Sequence, residues 1–179
     1  MGKITLITGG ARSGKSAFAL SLGLQCYSRR AFVATAVPFD QEMKDRISRH
    51  REERGDRFHT IEEPIDLPRV LADLPGGIEV VVVDCLTVWL GNLYHHFQDT
   101  EEKVRLQVEA FLDHLDQPVC DLILVTNEVG WGIVPENPLA RSFRDMAGHL
   151  NRRVARKAAT AYLLCCGLPL TLKGEPPRG

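Results

Sequence analysis

The stretch ITLITGGARSGKS, residues 4–16, decides the fold. It opens with a short apolar run that ends in glycine, which is typical of a strand buried in a parallel sheet. Its second part, GGARSGKS at residues 9–16, fits the pattern G-x-x-x-x-G-K-S, and the segment after it, residues 16–24, predicts a helix. A strand, a glycine-rich loop and a helix in this order predict a phosphate-binding loop. The structural alternative is an ordinary glycine turn between a strand and a helix.

The phosphate-binding loop brings its own chemistry. Its glycines let backbone N–H groups wrap around a polyphosphate, and the amino terminus of the following helix adds a favourable dipole. The lysine of the motif, Lys15, would reach the β- and γ-phosphates, and the hydroxyl group of Ser16 would hold Mg²⁺. The sequence therefore predicts a site for a nucleoside triphosphate.

The rest of the chain alternates strands with helices. Further strands are predicted at residues 31–36, 78–84, 121–128, 161–167 and 168–173, and helices at residues 40–54, 101–115 and 139–157. This alternation predicts an α/β fold of the P-loop NTPase-like type, with three α/β/α layers around a mainly parallel sheet. An antiparallel hairpin is an option at its C-terminal edge. We expect a single domain over residues 1–179, with residues 174–179 as a loose tail.

Polar residues at the ends of the strands form the next group of candidates. Asp84 ends a strand of four valines, where a Walker B carboxylate would meet the metal at the carboxyl edge of the sheet. The alternative is an aspartate that caps the following turn. At the same edge the other strands end in two polar or small triplets: Ala34, Thr35 and Ala36, and Thr126, Asn127 and Glu128.

The composition excludes several partners. A formal net charge of −1 gives no general reason to bind nucleic acid or a membrane surface, and the apolar runs are too short to span a bilayer. The five cysteines include no C-x-x-C pair, and their odd number argues against a closed set of disulfides. The N-terminus shows no signal peptide, so we expect a cytoplasmic protein.

The motifs of a regulatory GTPase are missing. DCLT at residues 84–87 stands where D-x-x-G would be, and NEVG at residues 127–130 stands where N-K-x-D would be. The chain is also short for a motor or an AAA-type module. These absences favour a small transferase that acts on a metabolite.

A histidine surrounded by arginines follows the second predicted strand, in DRISRHREERG at residues 45–55. His50 lies among Arg46, Arg49, Arg51 and Arg54. An imidazole beside a phosphoryl group is a competent nucleophile, and arginine forks match phosphate oxygens. The alternative is a solvated helix whose arginines pair with neighbouring acidic residues.

Helical spacing orders these residues. Over residues 40–54, Met43, Ile47, His50 and Arg54 recur at steps of four, three and four, so they share one stripe. The two apolar members can anchor this stripe to the body of the protein, which turns His50 and Arg54 inward. Arg46 and Arg51 lie beside the stripe and can also reach a phosphate, whereas Arg49 is expected in solvent.

Together these stretches resemble the bifunctional adenosylcobinamide kinase and adenosylcobinamide-phosphate guanylyltransferase family of cobalamin (vitamin B12) assembly. The similarity covers most of the chain in the order of the family. It is carried by TGGARSGKS (residues 8–16), RISRHREERGDRFHTIEEP (46–64), VVVDCLTVWLGNL (81–93), TNEVGWGIVPENPLARSFRDMAGHLNRRVA (126–155) and GLPLTLKG (167–174).

The resemblance implies a two-step enzyme. A kinase activity phosphorylates the aminopropanol hydroxyl group of adenosylcobinamide with GTP or ATP. A guanylyltransferase activity moves GMP from GTP onto a histidine, with loss of pyrophosphate, and then onto adenosylcobinamide phosphate to give adenosylcobinamide-GDP. The resemblance also implies Mg²⁺ as cofactor and a homotrimer with active sites near the subunit interfaces.

The family also implies the site residues. The guanylylated histidine maps onto His50, and the metal ligands onto Ser16 and Asp84. The nucleotide contacts map onto Gly9, Gly10, Ala11, Arg12, Ser13, Gly14, Lys15, Ser16, Ala34, Thr35, Ala36, Arg51, Glu52, Glu53, Arg54, Glu62 and Asp84.

Other candidates carry less chemistry. A glycine- and proline-rich loop, residues 127–138, would face the substrate, with Glu128 near the metal or the incoming hydroxyl group. An ordinary connection is the alternative. Arg141, Arg144 and Asp145 could contact phosphate or a neighbouring subunit. The remaining histidines are expected to be solvated or packed: His59, His95, His96, His114 and His149.

Two other functions remain open at the level of sequence. One is a small-metabolite P-loop kinase without nucleotidyl transfer. The other is a non-enzymatic nucleotide-binding regulator, which the missing guanine and switch motifs disfavour.

Overall fold

A computed structural model describes residues 1–98 and 100–177, except the side chains of Arg46 and Glu53. The strands are β1 (Ile4–Gly9), β2 (Arg30–Ala34), β3 (His59–Glu62), β4 (Val80–Asp84), β5 (Asp121–Val125), β6 (Thr160–Cys165) and β7 (Leu168–Lys173). The helices are α1 (Lys15–Cys26), α2 (Gln41–Arg54), α3 (Leu67–Ala72), α4 (Leu86–His96), α5 (Glu101–His114) and α6 (Pro138–Lys157).

The strands form one sheet in the order β3-β2-β4-β5-β1-β6-β7. The pairs from β3 to β6 are parallel, and only β7 runs antiparallel to its neighbour β6. The predicted fold class is confirmed, including the antiparallel hairpin at the C-terminal edge. Because β1 lies inside the sheet, the phosphate-binding loop emerges with strand ends on both sides of it.

Strand β4 shows why the sheet is covered on both faces. Val81 and Val83 pack with α3, α4, α5 and α6, whereas Val80 and Val82 pack with α1 on the opposite face. Successive side chains of a strand point to opposite faces, so an unbroken valine run needs an apolar layer on each side. The three predicted layers follow from this pattern.

Three elements were missed by the sequence patterns. Strand β3 is a four-residue edge strand that is mostly exposed, and α3 is a six-residue helix with a proline in its first turn. Helix α4 is apolar on most of its surface and is packed almost completely, so it shows no polar face from which to read a period. Its Trp89 is fully buried, and the indole Nε1–H donates to the carbonyl oxygen of Ile65 at 2.7 Å.

Three predicted strands were too long at their carboxyl ends, and one of them, predicted over residues 161–167, ends at Cys165 before the hairpin turn. Strand β2 ends at Ala34 and β5 ends at Val125, so residues 35–36 and 126–128 belong to the loops that leave the sheet. These loops carry polar residues directly beyond the strand ends: Thr35, Thr126, Asn127 and Glu128. The edge of the sheet is therefore richer in candidate ligands than the predicted boundaries implied.

The turn between β6 and β7 touches the phosphate-binding loop. Cys166 and Gly167 both have positive φ, 52° and 82°, as a two-residue hairpin turn with the twist of its strands requires. The N–H group of Gly167 donates to the carbonyl oxygen of Ser13 at 3.1 Å. The last hairpin of the chain thereby supports one of its first loops.

Replacing Trp89 should test the packing of α4. We expect Trp89→Ala to lower the free energy of unfolding by about 3–5 kcal/mol, because it leaves a cavity and an unpaired Ile65 carbonyl group. Urea denaturation measures this change. The matched control is Trp131→Ala, since Trp131 is 77% exposed and its loss should change the stability by less than about 0.5 kcal/mol. Equal losses for the two variants would contradict this account of the core.

Candidate active site

The phosphate-binding loop depends on two glycine conformations. Gly9 has φ 146°, and a Cβ atom there would overlap the carbonyl oxygen of Leu164 on β6. Gly14 has φ 95° and stands immediately before α1, where no side chain caps the helix. The first backbone N–H groups of α1 are therefore left for an anionic ligand, as the motif requires.

Lys15 folds back over this loop. Its side chain is buried, and its Nζ donates to the carbonyl oxygen of Gly10 at 2.5 Å and lies 3.4 Å from Ser13 Oγ. Gly10, Ala11 and Arg12 are exposed at the crest of the loop. The ammonium group thus lies inside the ring of backbone that a triphosphate would occupy.

A cavity of about 380 Å³ lies between the phosphate-binding loop and α2. It brings together residues that are far apart in sequence but were predicted to share a site: Ser16, Ala34, Ala36, His50, Arg51, Arg54, Glu62 and Asp84. Six further lining residues were not predicted, because neither spacing nor motif marks them: Phe32, Pro38, Lys44, Ser48, Cys85 and Val88.

Helix α2 presents its predicted stripe to this cavity. The carboxylate of Asp40 caps the helix by accepting from the N–H group of Met43 at 2.8 Å, and Gly55 with φ 52° ends it. The cavity is lined by all four members of the stripe: Met43, Ile47, His50 and Arg54. Arg49 is exposed on another side of α2, where the spacing placed it.

The two described arginines of the cavity have different surroundings. Arg54 is 4% exposed, and its guanidinium carbon lies 4.1 Å from the centroid of the Phe32 ring, in a cation–π contact. Arg51 is largely exposed and pairs with the carboxylate of Glu62 at the end of β3. A buried cation and an exposed one therefore face the same space as His50.

Some predicted contacts lie elsewhere. Glu52 is exposed and does not line the cavity. The contacts expected of Glu53 and Arg46 concern side chains outside the described residues. The side chain of Thr35, another predicted nucleotide contact, is fully buried, and its hydroxyl group is hydrogen-bonded to the backbone of Cys85.

Thr35 fixes the chain after Asp84 instead. Its hydroxyl oxygen accepts from the N–H group of Cys85 at 2.8 Å and lies 3.0 Å from the Cys85 carbonyl oxygen, to which it donates. The amide of Asn92 on α4 in turn donates to the carbonyl oxygens of Thr35 and Pro64, at 2.7 and 3.1 Å. This buried contact joins the ends of β2 and β4 and holds Asp84 at the cavity.

The loop of residues 127–138 exposes apolar side chains. Trp131, Ile133 and Val134 are solvent-exposed. Arg141 donates to the carbonyl oxygens of Pro135 and Glu136 at 2.9 and 2.6 Å, and Arg144 donates to that of Ile133 at 3.3 Å. The two arginines therefore brace this loop, a role that the sequence did not suggest.

Three of the remaining histidines, His95, His96 and His114, have ring contacts or are partly buried, and His59 is exposed. His95 lies against Phe39 with ring centroids 6.0 Å apart, and His96 lies against Phe97 at 4.8 Å. Burial lowers the pKa of His114. Across residues 1–98 and 100–177, no three histidine, cysteine or acidic side chains cluster as a metal site. None of the helices described in these residues is both long and apolar enough to cross a membrane.

The fold and the cavity define the class. A phosphate-binding loop lies at the carboxyl edge of a parallel sheet, and β4, two strands away from β1, ends at the cavity in Asp84. A histidine and two arginines stand opposite on one helix. This arrangement is that of a P-loop transferase acting on nucleotides rather than that of a switch protein.

Comparison with known sequences identifies the family within that class. Residues 5–172 match the family described as cobinamide kinase / cobinamide phosphate guanyltransferase, and the chain belongs to this family. It is 39% identical to the bifunctional adenosylcobalamin biosynthesis protein CobP of Pseudomonas aeruginosa over 96% of this chain and 98% of the relative. It is 35% identical to the bifunctional protein CobU of Escherichia coli K12, over 94% and 98%. The resemblance inferred from the motifs is confirmed.

Comparison with solved structures supports the fold. A crystal structure of the RadB recombinase aligns with a TM-score of 0.51 at 19% sequence identity, covering 90% of this chain and 73% of the recombinase. At this identity the likeness concerns only the arrangement of strands and helices.

The thiol group of Cys85 should be inert although it lines the cavity. Burial, followed by the nearby carboxylate of Asp84, raises its pKa to about 12. At pH 8 only about 1 in 10⁴ of this thiol is ionised, and the thiolate is the reactive form. We expect iodoacetamide to modify the exposed Cys26, Cys165 and Cys166 in the folded protein, and Cys85 only after unfolding. Peptide mass spectrometry measures this order, and modification of Cys85 as fast as that of Cys26 would contradict it.

Proposed function

We propose that this protein phosphorylates adenosylcobinamide and then transfers GMP to the product through a guanylylated His50. These are two successive reactions of cobalamin assembly. The family to which residues 5–172 belong is named for both activities. The observation that carries the proposal is that His50, Arg51 and Arg54 line the same cavity as Ser16 and Asp84. A kinase alone needs the loop and the carboxylate but has no use for a nucleophile on the opposite wall.

The nucleotide would be held by the loop from Gly9 to Ser16. Backbone N–H groups at the start of α1 would bind the phosphates, with Lys15 as their counter-charge. The ends of β2 and β3, at Ala34, Ala36 and Glu62, would complete the site because they line the same cavity. GTP would serve both reactions, and ATP could replace it in the first.

Mg²⁺ fits the residues on the phosphate side of this cavity. The Ser16 hydroxyl group and the Asp84 carboxylate both line it, and hydroxyl and carboxylate oxygens are the ligands that Mg²⁺ prefers. When bound there, the ion would neutralise charge on the phosphates.

In the first reaction, the hydroxyl oxygen of adenosylcobinamide attacks the γ-phosphorus. A new P–O bond forms, the bond to the β-phosphate oxygen breaks, and the hydroxyl proton passes to a base. Glu128 is our candidate for that base, since it lies beside the loop, with its N–H group donating to the carbonyl oxygen of Gly9 at 3.1 Å.

In the second reaction, an imidazole nitrogen of His50 attacks the α-phosphorus of GTP. The N–P bond forms and the bond to pyrophosphate breaks. A phosphate oxygen of adenosylcobinamide phosphate then attacks the same phosphorus, and the N–P bond breaks to restore the histidine. Arg54 and Arg51 would stabilise the charge that spreads over the phosphoryl oxygens, as arginines do in phosphoryl transfer.

The corrinoid would be received by the loop of residues 127–138. Its exposed Trp131, Ile133 and Val134 offer an apolar surface to a large and partly apolar substrate, and two arginines hold the backbone in place. Large exposed apolar patches usually mark binding surfaces.

We include a cytoplasmic homotrimer in the proposal, because the family resemblance implies one. Sedimentation or light scattering at micromolar concentration should give three times the 20.0 kDa mass of the chain. A concentration-independent mass of one chain would remove the trimer from the proposal and leave the chemistry of the single chain untouched.

Labelling with GTP tests the covalent step. Incubation with α-³²P-GTP and Mg²⁺ should leave acid-labile, base-stable label on the chain, as a phosphoramidate does, and His50→Ala should abolish it. The matched control is His59→Ala, since His59 is exposed on the neighbouring strand β3 and should not matter. Full labelling of His50→Ala would overturn the nucleophile. Transfer from γ-labelled GTP without any protein-bound α-label would instead support a small-metabolite kinase.

The same assay distinguishes the arginines of α2. Arg54→Lys keeps the charge but loses the planar fork, so the labelling rate should fall by about tenfold or more. Arg49→Lys is the matched control, because Arg49 lies on the same helix but is exposed away from the cavity. Both variants are compared at a temperature where thermal melts show them folded. Equal rates for the two would remove Arg54 from the transfer step.

A further inference from the structure

Three side chains and the backbone N–H and carbonyl groups of Asn127 form a closed ring of hydrogen bonds just beyond β5. The N–H group of Asn127 donates to Thr87 Oγ1 at 2.7 Å, and Asn151 Nδ2 donates to the carbonyl oxygen of Asn127 at 3.1 Å. Between them, Thr126 Oγ1 donates to Asn151 Oδ1 at 2.7 Å and lies 3.0 Å from Thr87 Oγ1. Thr87 lies on α4 and Asn151 on α6, and Thr126 directly follows β5.

The direction of every bond in the ring is determined. A hydroxyl group has one proton, and Thr126 uses its proton on Asn151, so Thr87 must be the donor to Thr126. The ring therefore runs from the Asn127 N–H group through Thr87, Thr126 and Asn151 back to the Asn127 carbonyl group. Both backbone polar groups of Asn127 are satisfied by side chains rather than by the sheet.

The ring is buried, so it is costly to disturb. Thr126 is 1% exposed and Thr87 is 9% exposed. Removing one member would leave a buried donor or acceptor without a partner, and directed chains of hydrogen bonds in a low-dielectric interior reinforce one another. The backbone of Asn127 is consequently held much more firmly than that of an ordinary loop residue.

The position of Asn127 relates the ring to the site. Strand β5 lies between β1 and β4, and Val125 stands in register with both Ile7 and Asp84. Three residues after Val125, the N–H group of Glu128 donates to the carbonyl oxygen of Gly9. Asn127 thus leaves the sheet between the phosphate-binding loop and the strand that ends in Asp84.

We infer that Thr87, Thr126 and Asn151 are positioning residues for Asn127, whose side-chain amide binds the phosphoryl group transferred from the γ-position of the nucleotide. A carboxamide can donate two N–H bonds to phosphoryl oxygens, and a donor contributes most when it is held in place before the charge develops. Asn127 is half-buried at the edge of the sheet, next to Glu128, whose N–H group donates to the Gly9 carbonyl oxygen of the phosphate-binding loop. This inference rests on the proposed kinase function.

A double-mutant cycle on the phosphorylation of adenosylcobinamide by GTP tests the inference. We expect Asn127→Ala to lower kcat about 10²-fold, and Thr126→Val, which keeps the shape but removes the hydroxyl group, to lower it about 10- to 100-fold. KM for GTP should change less than about threefold in both, because the phosphate-binding loop is intact. Thr126→Ser should restore kcat to within about threefold of the wild-type value.

The double variant gives the decisive value. If the ring acts through Asn127, adding Thr126→Val to Asn127→Ala should cost less than about threefold more. Fully multiplicative losses would show that the ring acts elsewhere and overturn the inference. If the loss of kcat caused by Thr126→Val is absent in a Glu128→Gln variant but present in Asn127→Ala, the ring positions Glu128 rather than Asn127. That result would also overturn the inference.

A matched control lies at the other end of the same strand. The hydroxyl group of Tyr27 donates to Asp121 Oδ2 at 2.5 Å, so Tyr27→Phe removes a side-chain hydrogen bond from β5 far from the loop. Its kcat should equal that of the wild type even if its melting temperature falls. If Thr126→Val does not fold, Thr87→Ala takes its place, because it removes the acceptor of the Asn127 N–H group.

The kinase activity of the wild-type protein shows whether this inference alone fails or the proposed kinase function fails with it. A wild-type chain that phosphorylates no cobinamide would overturn the proposed kinase function and the inference together. An active wild-type chain with an equally active Thr126→Val variant would overturn the positioning ring alone.

Discussion

The structure depends on the close approach of two backbones at Gly9. There β1 passes so near to the carbonyl oxygen of Leu164 that a side chain has no room, and the chain turns with a positive φ into the loop. Strand β1 can occupy the interior of the sheet only if this turn is made, because β5 and β6 flank it on both sides. The position of the phosphates, and with it the chemistry of the cavity, follows from a contact that only glycine permits.

The end of β4, at Asp84, is held from both sides by polar contacts to the backbone. On one side Thr35, at the end of β2, binds the peptide that follows Asp84, and Asn92 secures Thr35. On the other side the ring around Asn127 secures the end of β5. Strands β2 and β5 are the two neighbours of β4, so the three strand ends form one rigid edge. The opposite wall of the cavity is a single helix, α2, which brings the histidine and the arginines.

Much of the site follows from local patterns, and the rest depends on tertiary contacts. The phosphate-binding loop, Asp84 and the stripe of α2 were predictable because each is marked by a pattern within one short segment of the sequence. Helix α4 was not, since burial on nearly every side removes the polar face that marks a helix. Thr35 is named among the nucleotide contacts by the family resemblance, and no sequence pattern reveals that its side chain bonds to the backbone of Cys85, 50 residues away. The ring joins residues 87, 126 and 151, and no spacing in the sequence points to it.

The contact between Gly167 and Ser13 joins the beginning of the chain to its end. The loop and the turn that supports it lie far apart in the sequence, at residues 9–16 and 166–167. The final shape of the loop therefore depends on a long-range contact that forms only when the hairpin of β6 and β7 is in place. A chain that is cut short before β7 keeps the whole sequence motif but lacks the support that shapes it. The sequence motif alone is thus insufficient for the site, because the turn between β6 and β7 contributes to the shape of the loop.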